Sequence, residues 1–525
     1  MVQIVPRPEA LPEITVGVDL ERMTDAAIAA LAKDTRVYQR GGALVGVVTV
    51  QNGPTKRPEK IRRSDGAAVI RALSAPTVRE RMAASARWIK YDGRKRDHVQ
   101  VLPPEAVVGT VCARGEWGGV RPLVSVATSP SLKPDGTVLQ SPGYDADTAT
   151  LYWPSDSYAA VADRPTLDDA HGALGAIREI VCDFPFAKPE HESAWIAGLL
   201  TMFARPAIDG PCPLFAVDAT TRGTGKSRLV DAAVRLCTGL DAPRTSLPDD
   251  DDEMRKRISA LMLEGDAAVC LDNITRAIAL PALDTVLTAT TWKDRVLGTT
   301  ATFSAPARAV WWATGNNLVL GGDLGRRTLH VRLESPLENP EERADFRHPE
   351  LLRWVSENRT RLVASALTVL RAYMVAGAPY QGSLWGSFEE WSRLIPGALV
   401  WAGAADPLAS RASAEPAMDE EKRALTLLIA GLSRLTSAAG PLTARAILDA
   451  LYPERDVRDG PAPPDGYEDL RDTIEQETRC LPGRRPEARR LGKWLQRVRG
   501  RVVNGRRVVR VEETSSHQAA WRVEP

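Results

Sequence analysis

Between residues 206 and 335 the apolar positions come in short unbroken runs divided by polar turns. Leu214-Phe215-Ala216-Val217, Ala267-Ala268-Val269-Cys270-Leu271 and Ala309-Val310-Trp311-Trp312-Ala313 each have the length of one strand. None shows the alternation of a half-exposed strand, so they predict buried parallel strands, with another over Thr328 to Leu333. Leu229, Ala233 and Leu236 follow the first run at helical spacing. Upstream, Pro165 to Cys182 and Pro189 to Ala204 predict two helices. The apolar face of the second, through Ala194, Ile196, Leu199, Leu200 and Phe203, is broad enough for a buried element, with Trp195 in its core. Downstream, Pro349 to Ala376 and Ser387 to Ala402 predict a helical lid or collar. Residues 1–155 mix short strand signals with turns: Gly41 to Val50 predicts a hairpin strand and Thr77 to Trp88 a helix, with breaks at Pro103-Pro104 and Ser141-Pro142-Gly143.

Ala404 to Met418 has no period and predicts a linker. Beyond it Leu425, Leu428, Leu432 and Leu435 mark one helical face. Thr443 caps a second helix through Leu448 and Leu451, and Leu491, Trp494, Leu495 and Val498 line a third. Val502-Val503-Asn504-Gly505-Arg506-Arg507-Val508-Val509 is a two-residue hairpin signal, with Trp521 in a closing strand. Helices followed by a hairpin predict a winged helix-turn-helix. Leu481 to Arg510 holds eleven basic residues against one acid, Glu487. A solvated helix face interleaves both signs, so this run points to phosphate contact, with Arg489, Arg490, Lys493, Arg506 and Arg507 as DNA-binding candidates.

At 525 residues the chain has room for roughly three domains. The pattern divides it into an α+β region over 1–155, a helical segment over 156–205, an α/β core over 206–335, a collar over 336–405 and a C-terminal domain over 419–525. A net charge of +1 means that any nucleic-acid surface arises from local clustering. Basic residues are 56 Arg and 12 Lys, a bias that suits phosphate forks and equally follows from a GC-rich genome. The six cysteines form no C-x-x-C pair and several lie in apolar runs, which predicts buried free thiols in a reducing, cytoplasmic compartment. No apolar run reaches the ~18 residues of a membrane span, no signal pattern opens the chain, and no histidines are ligand-spaced.

The chemistry centres on Leu214 to Ser227, where a buried strand breaks into Thr220-Thr221-Arg222-Gly223-Thr224-Gly225-Lys226-Ser227 and a helix follows. Such a loop turns N–H groups inward and adds the positive end of a helix, as polyphosphate binding requires. Lys226 is placed to reach β- and γ-phosphates and Ser227 to complete a magnesium shell, within a nucleotide-binding stretch Gly223 to Arg228. The first glycine of G-x-x-x-x-G-K-[ST] is Thr220 here; an ordinary strand–helix turn is the alternative. Its companions weigh against that alternative. Asp272 ends an apolar strand 46 residues after Lys226, where magnesium needs a carboxylate. Asn316 ends the next, placed to hold an attacking water, with an Asn-rich turn as the plainer reading, above all for Asn317. Arg326 and Arg327 follow, as an arginine finger would. Asp145-Ala146-Asp147 has the look of a metal-holding pair of nucleotidyl transferases, but no well-placed His or third carboxylate follows, so an acidic turn is preferred and no primase site is assigned.

Lys226-Ser227, Asp272, Thr314-Gly315-Asn316-Asn317 and Gly322-Asp323-Leu324-Gly325-Arg326-Arg327 together resemble the signature of superfamily 3-type AAA+ helicases, and more narrowly the helicase half of phage and prophage primase–helicases. The resemblance extends from about Thr24 to Pro407. It implies an α/β fold with an AAA+ P-loop ATPase core and parallel sheet, using ATP and Mg2+. It further implies a homo-hexameric ring with sites at subunit interfaces that acts on single-stranded and forked DNA, with a separate primase or polymerase as partner. It also implies a pore hairpin, for which Trp292 to Thr300 is in place, with Lys293 and Arg295 as DNA contacts or members of a structural ion pair. Two departures bear on the chemistry: Thr220, and Asn273 where many relatives have a second carboxylate. Asp272 alone, or another acid such as Asp218, would then serve as base. The expected function is an ATP-dependent helicase or translocase of a mobile element. The rivals are a DNA-remodelling ATPase of defence or packaging, and an origin-binding initiator switched by nucleotide without unwinding.

Overall fold

The computed structural model describes residues 11–52, 60–296, 302–380, 382–453, 466–481, 484–512 and 519–525. It divides into two compact units, Met1–Ser413 and Ala414–Pro525.

The first unit is built on five parallel strands. The elements of this core are β1 (Leu214–Ala219), α1 (Lys226–Thr238), β2 (Arg244–Thr245), α2 (Asp251–Glu264), β3 (Ala268–Ile274), β4 (Thr291–Arg295), β5 (Thr302–Pro306), β6 (Val310–Asn316) and β7 (Thr328–Leu333). The sheet order is β2-β3-β6-β1-β7, so the strand that precedes the phosphate loop lies between β6 and β7. Alternate residues of the apolar runs feed two cores. Phe215, Val217, Cys270, Trp312 and Val331 face one, shared with helices Leu167–Ile180, Pro189–Ala204 and Arg359–Val375; Leu214, Val269, Leu271, Trp311 and Ala313 face the other, under α2. Burial on both faces is why these strands read as unbroken runs. Gly198 of the Pro189–Ala204 helix lets Trp312 close in: a Cβ there would lie 2.4 Å from the indole. β4 and β5 pair as an antiparallel hairpin before β6. Its Leu297 to Thr300 portion lies outside the described residues.

The N-terminal part holds small sheets with helices Leu20–Leu31, Ala75–Ser85 and Glu105–Ala113 around a core that includes Leu31, Met82, Trp88 and Trp117. The helix expected to run to Trp88 stops at Ser85, and Trp88 belongs to the strand Arg87–Asp92, paired with Glu13–Thr15. The indole N–H donates to the Met82 carbonyl at 3.1 Å, so Trp88 covers the end of the helix that it was expected to extend.

The boundary between the two units falls at Ser413/Ala414, inside the stretch expected to be a linker, but from Pro407 that stretch is locally helical, as a 3-10 segment Pro407–Ala414 followed by the helix Glu415–Ala439. Six of the stretch's fifteen residues are Ala, the strongest helix former, and propensity needs no apolar period. In the second unit this helix joins Ala444–Leu451, Glu468–Thr478, Ala488–Val498 and a four-stranded antiparallel sheet around Leu428, Leu448, Leu495, Val508 and Trp521. Asn504 and Gly505, at φ 50° and 74°, form the turn between Val502–Val503 and Arg506–Glu512, the left-handed pair that a two-residue hairpin requires. Among the described residues no helix is long and apolar enough to cross a membrane.

Candidate nucleotide site

β1 ends at Ala219, and the chain turns through Thr220 to Gly225 into α1. Gly225 is the N-cap at φ 83°, and a Cβ there would meet the Phe184 ring at 2.9 Å, so glycine is required twice over. No side chain caps α1. In contrast, Thr166 and Asp250 cap the helices Leu167–Ile180 and Asp251–Glu264 with hydrogen bonds. The first N–H groups of α1 are thus left for a ligand, at the positive end of the helix. Beside them lies a cavity of about 430 Å³ bounded by the loop, Ile180, Phe184, Phe346 and Leu351, within the range of small-molecule sites. Glu341 stands at its mouth against Gly223, where a Cβ would lie 2.4 Å from Oε2.

The Lys226 ammonium folds back over the loop. It donates to Asn316 Oδ1 at 2.6 Å, the Thr221 carbonyl at 3.2 Å and Thr224 Oγ1 at 3.3 Å. Burial lowers its pKa, against the pull of Asp218. On the other side, Ser227 Oγ donates to Asp272 Oδ1 at 3.0 Å and Thr314 Oγ1 donates to the same oxygen at 2.7 Å. Arg244 donates to Asp272 Oδ2 at 2.7 Å. Burial works to raise the Asp272 pKa, but these hydrogen bonds and the Arg244 charge hold it below the usual carboxylate value. A hydroxyl and an ionised carboxylate 3.0 Å apart are hard oxygen donors, and magnesium, which keeps water and phosphate ligands, fits such a pair. Among the described residues no three His, Cys, Asp or Glu converge as a metal cage, and magnesium needs none.

β3 carries a bulge at this point, since its register against β6 shifts between Leu271 and Ile274. Asn273 takes the extra place at φ 54°, its N–H donating to Thr314 Oγ1 at 3.0 Å. Asn tolerates the left-handed conformation better than most residues. Asp218, considered above as an alternative base, is 5% exposed. Its Oδ2 pairs with Arg332 across the β1–β7 register and its Oδ1 accepts from the Leu318 N–H at 3.1 Å, so it has no free oxygen for a water. Asn317 serves the turn: at φ 48° it donates its N–H to the Ala219 carbonyl at 3.1 Å.

Arg326 and Arg327 lie elsewhere. Thr328, the first residue of β7, is in register with Leu214, the first of β1. Both arginines therefore sit at the strand-start edge, about 17 Å of strand away from the phosphate loop. Arg327 is tied down by the Asp284 carbonyl at 2.5 Å and Asp323 at 3.2 Å, with its side chain 19% exposed. Arg326 pairs with Asp323 at 2.7 Å and is 62% exposed.

Lys293 and Arg295 are both exposed and point to one side of β4. The ion pair considered for them goes to another residue: Asp294 accepts from Arg255 at 3.1 Å and from Ser259 at 2.8 Å. Asp145 and Asp147 both hold Lys133, at 2.9 and 2.6 Å, so an ammonium takes the place of a metal between them. In the second unit Arg489, Lys493 and Arg507 are exposed. Arg490 pairs with Glu487 at 3.6 Å, and Arg506 reaches Ser433 Oγ at 3.4 Å. Arg497 meets Glu477 at 2.6 Å and Arg485 meets Asp449, so acids from other helices offset part of the basic run.

Sequence reasoning missed Arg244, Thr314 as a ligand of Asp272, and Glu341. Arg244 sits in a two-residue strand with no apolar run to announce it. The available signal was Asp231, an acid on the buried side of α1 that needed a cation.

No known protein family matches the sequence, and no curated protein does. Among solved structures the chain is similar to the apo C-terminal region of NrS-1, at 11% identity and a TM-score of 0.38 over 82% of this chain and 92% of that one. It is also similar to the SCCmec type IV Cch helicase, at 11% identity and TM-score 0.32 over 75% and 76% of the two chains. For the JCV helicase the figures are 11%, 0.21, 45% and 66%.

Proposed function

We propose that the protein is an ATP-dependent DNA helicase or translocase. The observation that carries this is the convergence, at the carboxyl ends of β1, β3 and β6, of an uncapped helix N-terminus, Lys226 on Asn316, and Ser227 on Asp272. These parts came together from positions up to 90 residues apart in the chain. Lys226 would leave Asn316 for the β- and γ-phosphates, which frees the Asn316 amide to orient water. Ser227 and Asp272 would hold Mg2+, whose charge neutralises the phosphates during transfer. Phosphoryl transfer asks for positioning and charge stabilisation, and these residue types supply both.

Arg326 is too far from its own phosphate loop to act there, so its role is in trans, across the interface of a ring such as a homo-hexamer. It is the finger candidate over Arg327, which the chain already uses. Lys293 and Arg295 present a basic face for single-stranded DNA. The second unit is a winged helix by its order of helices and hairpin, with Arg489, Lys493 and Arg507 its free basic side. Replication of a phage, prophage or plasmid, with a separate primase, is the setting that this assembly suits.

One observation favours a nucleotide-switched initiator: Asn273 stands where a second acid would, and Asp218 is committed to Arg332. Steady-state ATP turnover with single-stranded DNA decides against that reading, and its absence decides for it. Unwinding of a forked duplex is the test of helicase action; ATP turnover without strand separation would leave a remodelling ATPase instead. For the second unit, Arg506→Glu with Arg507→Glu is expected to weaken DNA binding and reduce the salt slope by about 2. An unchanged slope would return the hairpin to a structural role.

A further inference from the structure

Arg244 carries more than a salt bridge. Its guanidinium spans two carboxylates: one NH2 group donates to Asp272 Oδ2 at 2.7 Å and the other to Asp231 Oδ2. Asp231 is itself fixed, 7% exposed on the inner side of α1, with Oδ1 accepting the Ala242 N–H at 3.2 Å. Asp272 Oδ1 is held by Ser227 and Thr314, and Arg244 holds Oδ2. The carboxylate that faces the metal position is therefore oriented from both ends, and Arg244 sets one of them.

The strand that carries Arg244 is two residues long and cannot hold itself in place. On the inner side it pairs with β3, Arg244 opposite Cys270. On the outer side the chain supplies a partner from its N-terminal region: Arg62 N–H donates to the Arg244 carbonyl at 2.8 Å, and Arg244 N–H to the Arg62 carbonyl at 2.9 Å. The neighbours of Arg62 anchor it. Ile61 is buried in the core beneath α2. Arg63, 8% exposed, forks onto Asp266 at 2.7 and 2.6 Å and reaches Glu264 at 2.7 Å. A segment 182 residues before Arg244 in the chain thus adds a rung to the ATPase sheet at the residue that grips Asp272.

We infer that Arg244 is a positioning residue for the metal-binding carboxylate Asp272, and that the N-terminal segment at Arg62 sets Arg244 through its backbone; this rests on the nucleotide-site reading above. Partners that orient a metal ligand typically change metal affinity by about 10–100-fold when removed. Arg244 touches no phosphate position, so nucleotide binding without metal is left alone. The N-terminal region thereby gains a route to the metal site that needs no contact with nucleotide.

The test uses the full chain, with ADP as probe, and titrates Mg2+ at fixed ADP while binding is followed by calorimetry. For Arg244→Gln the half-saturating Mg2+ concentration is expected to rise by about 10-fold or more, with ADP affinity in EDTA unchanged. Arg244→Lys keeps the charge and loses the fork, so it is expected to shift the same way, which separates geometry from charge. Arg62→Pro removes one of the two backbone bonds and is expected to give a smaller shift of the same sign. Folding of each variant is read from its melting curve, and Arg244→Lys carries the test if Arg244→Gln does not fold. A half-saturation within twofold of the wild type in both Arg244 variants overturns the positioning role. A shift in those but not in Arg62→Pro overturns the N-terminal route. A wild-type chain that binds no ADP would instead remove the nucleotide site, and this assignment with it.

Discussion

The two edges of the central sheet are built on opposite plans. At the strand-end edge the polar side chains are already engaged with one another: Lys226 on Asn316, Ser227 and Thr314 on Asp272, Arg244 on Asp272 and Asp231, Asp218 on Arg332. At the strand-start edge Arg327 is likewise committed to Asp284 and Asp323, but Arg326 reaches into solvent with an exposed ion pair. A pair that open stabilises its own chain by at most about 1 kcal/mol. On the proposed function, a bound nucleotide would have to displace some of the engaged edge's internal bonds, Lys226 on Asn316 first. At the open edge Arg326 is the more exposed of the two arginines, 62% against 19% for Arg327. If Arg326 is the finger proposed above, it would have to act on a second chain, because it lies at the opposite edge of its own sheet from Lys226.

The largest effect that would sharpen this contrast is on Arg326. Arg326→Ala is expected to lower kcat about a thousandfold, the low end of the range for a lost arginine finger, with ADP affinity and melting temperature unchanged. Mixing it with Lys226→Ala chains should restore part of the activity, since each subunit then lacks a different half. No recovery in the mixture would place both defects in one chain and break the contrast.

Asp218 tests whether its place on the engaged edge is structural, and His330, in the middle of the neighbouring strand opposite Ala216, tests the sheet beneath that edge. Asp218→Asn removes the charge partner of Arg332 inside the sheet and leaves it Glu334 at 3.6 Å and Asn317 at 3.4 Å, an expected loss of about 2 kcal/mol in denaturant unfolding. Turnover per folded molecule should change little; a collapse of turnover with intact stability would make Asp218 the base after all. His330 lies inside β7, 5% exposed, and burial depresses its pKa to about 4. The folded state keeps it neutral while the unfolded state binds a proton below its ordinary value of 6.5. Stability is then full above about pH 6.5 and declines as pH falls towards 4, by up to about 3 kcal/mol. His330→Gln should flatten that decline, and an unchanged pH profile would remove the effect from this residue.

Most of the engaged edge was legible because each part sits at the end of an unbroken apolar run. Burial on both faces makes such runs, and the residue after the run is then the strand tip. Asp272, Asn316 and the loop at Lys226 all follow that rule. The rule fails where burial does not write a run. Arg244 is held by two backbone neighbours and two carboxylates, none adjacent in sequence, and Glu341 meets Gly223 across 118 residues. The bulge at Asn273 was visible only as a missing acid, and its cause, a left-handed residue bonded to Thr314, is tertiary. The end of the helix at Ser85 and the helical conformation after Pro407, where the unit boundary does fall in the expected linker, were not legible for opposite reasons. Trp88 fits a helical face and a strand equally well, while the Ala-rich stretch folds by propensity without a pattern.

The central claim is that the engaged edge binds and hydrolyses nucleoside triphosphate through Lys226. ATP turnover by the purified full chain, with Mg2+ and single-stranded DNA, measured for wild type and Lys226→Ala, tests it most directly. The expected result is DNA-stimulated turnover that falls by about 100-fold or more in the variant, as when one charge-stabilising donor is lost from a transition state. Wild-type turnover that survives in Lys226→Ala, or no turnover in either, would contradict the account.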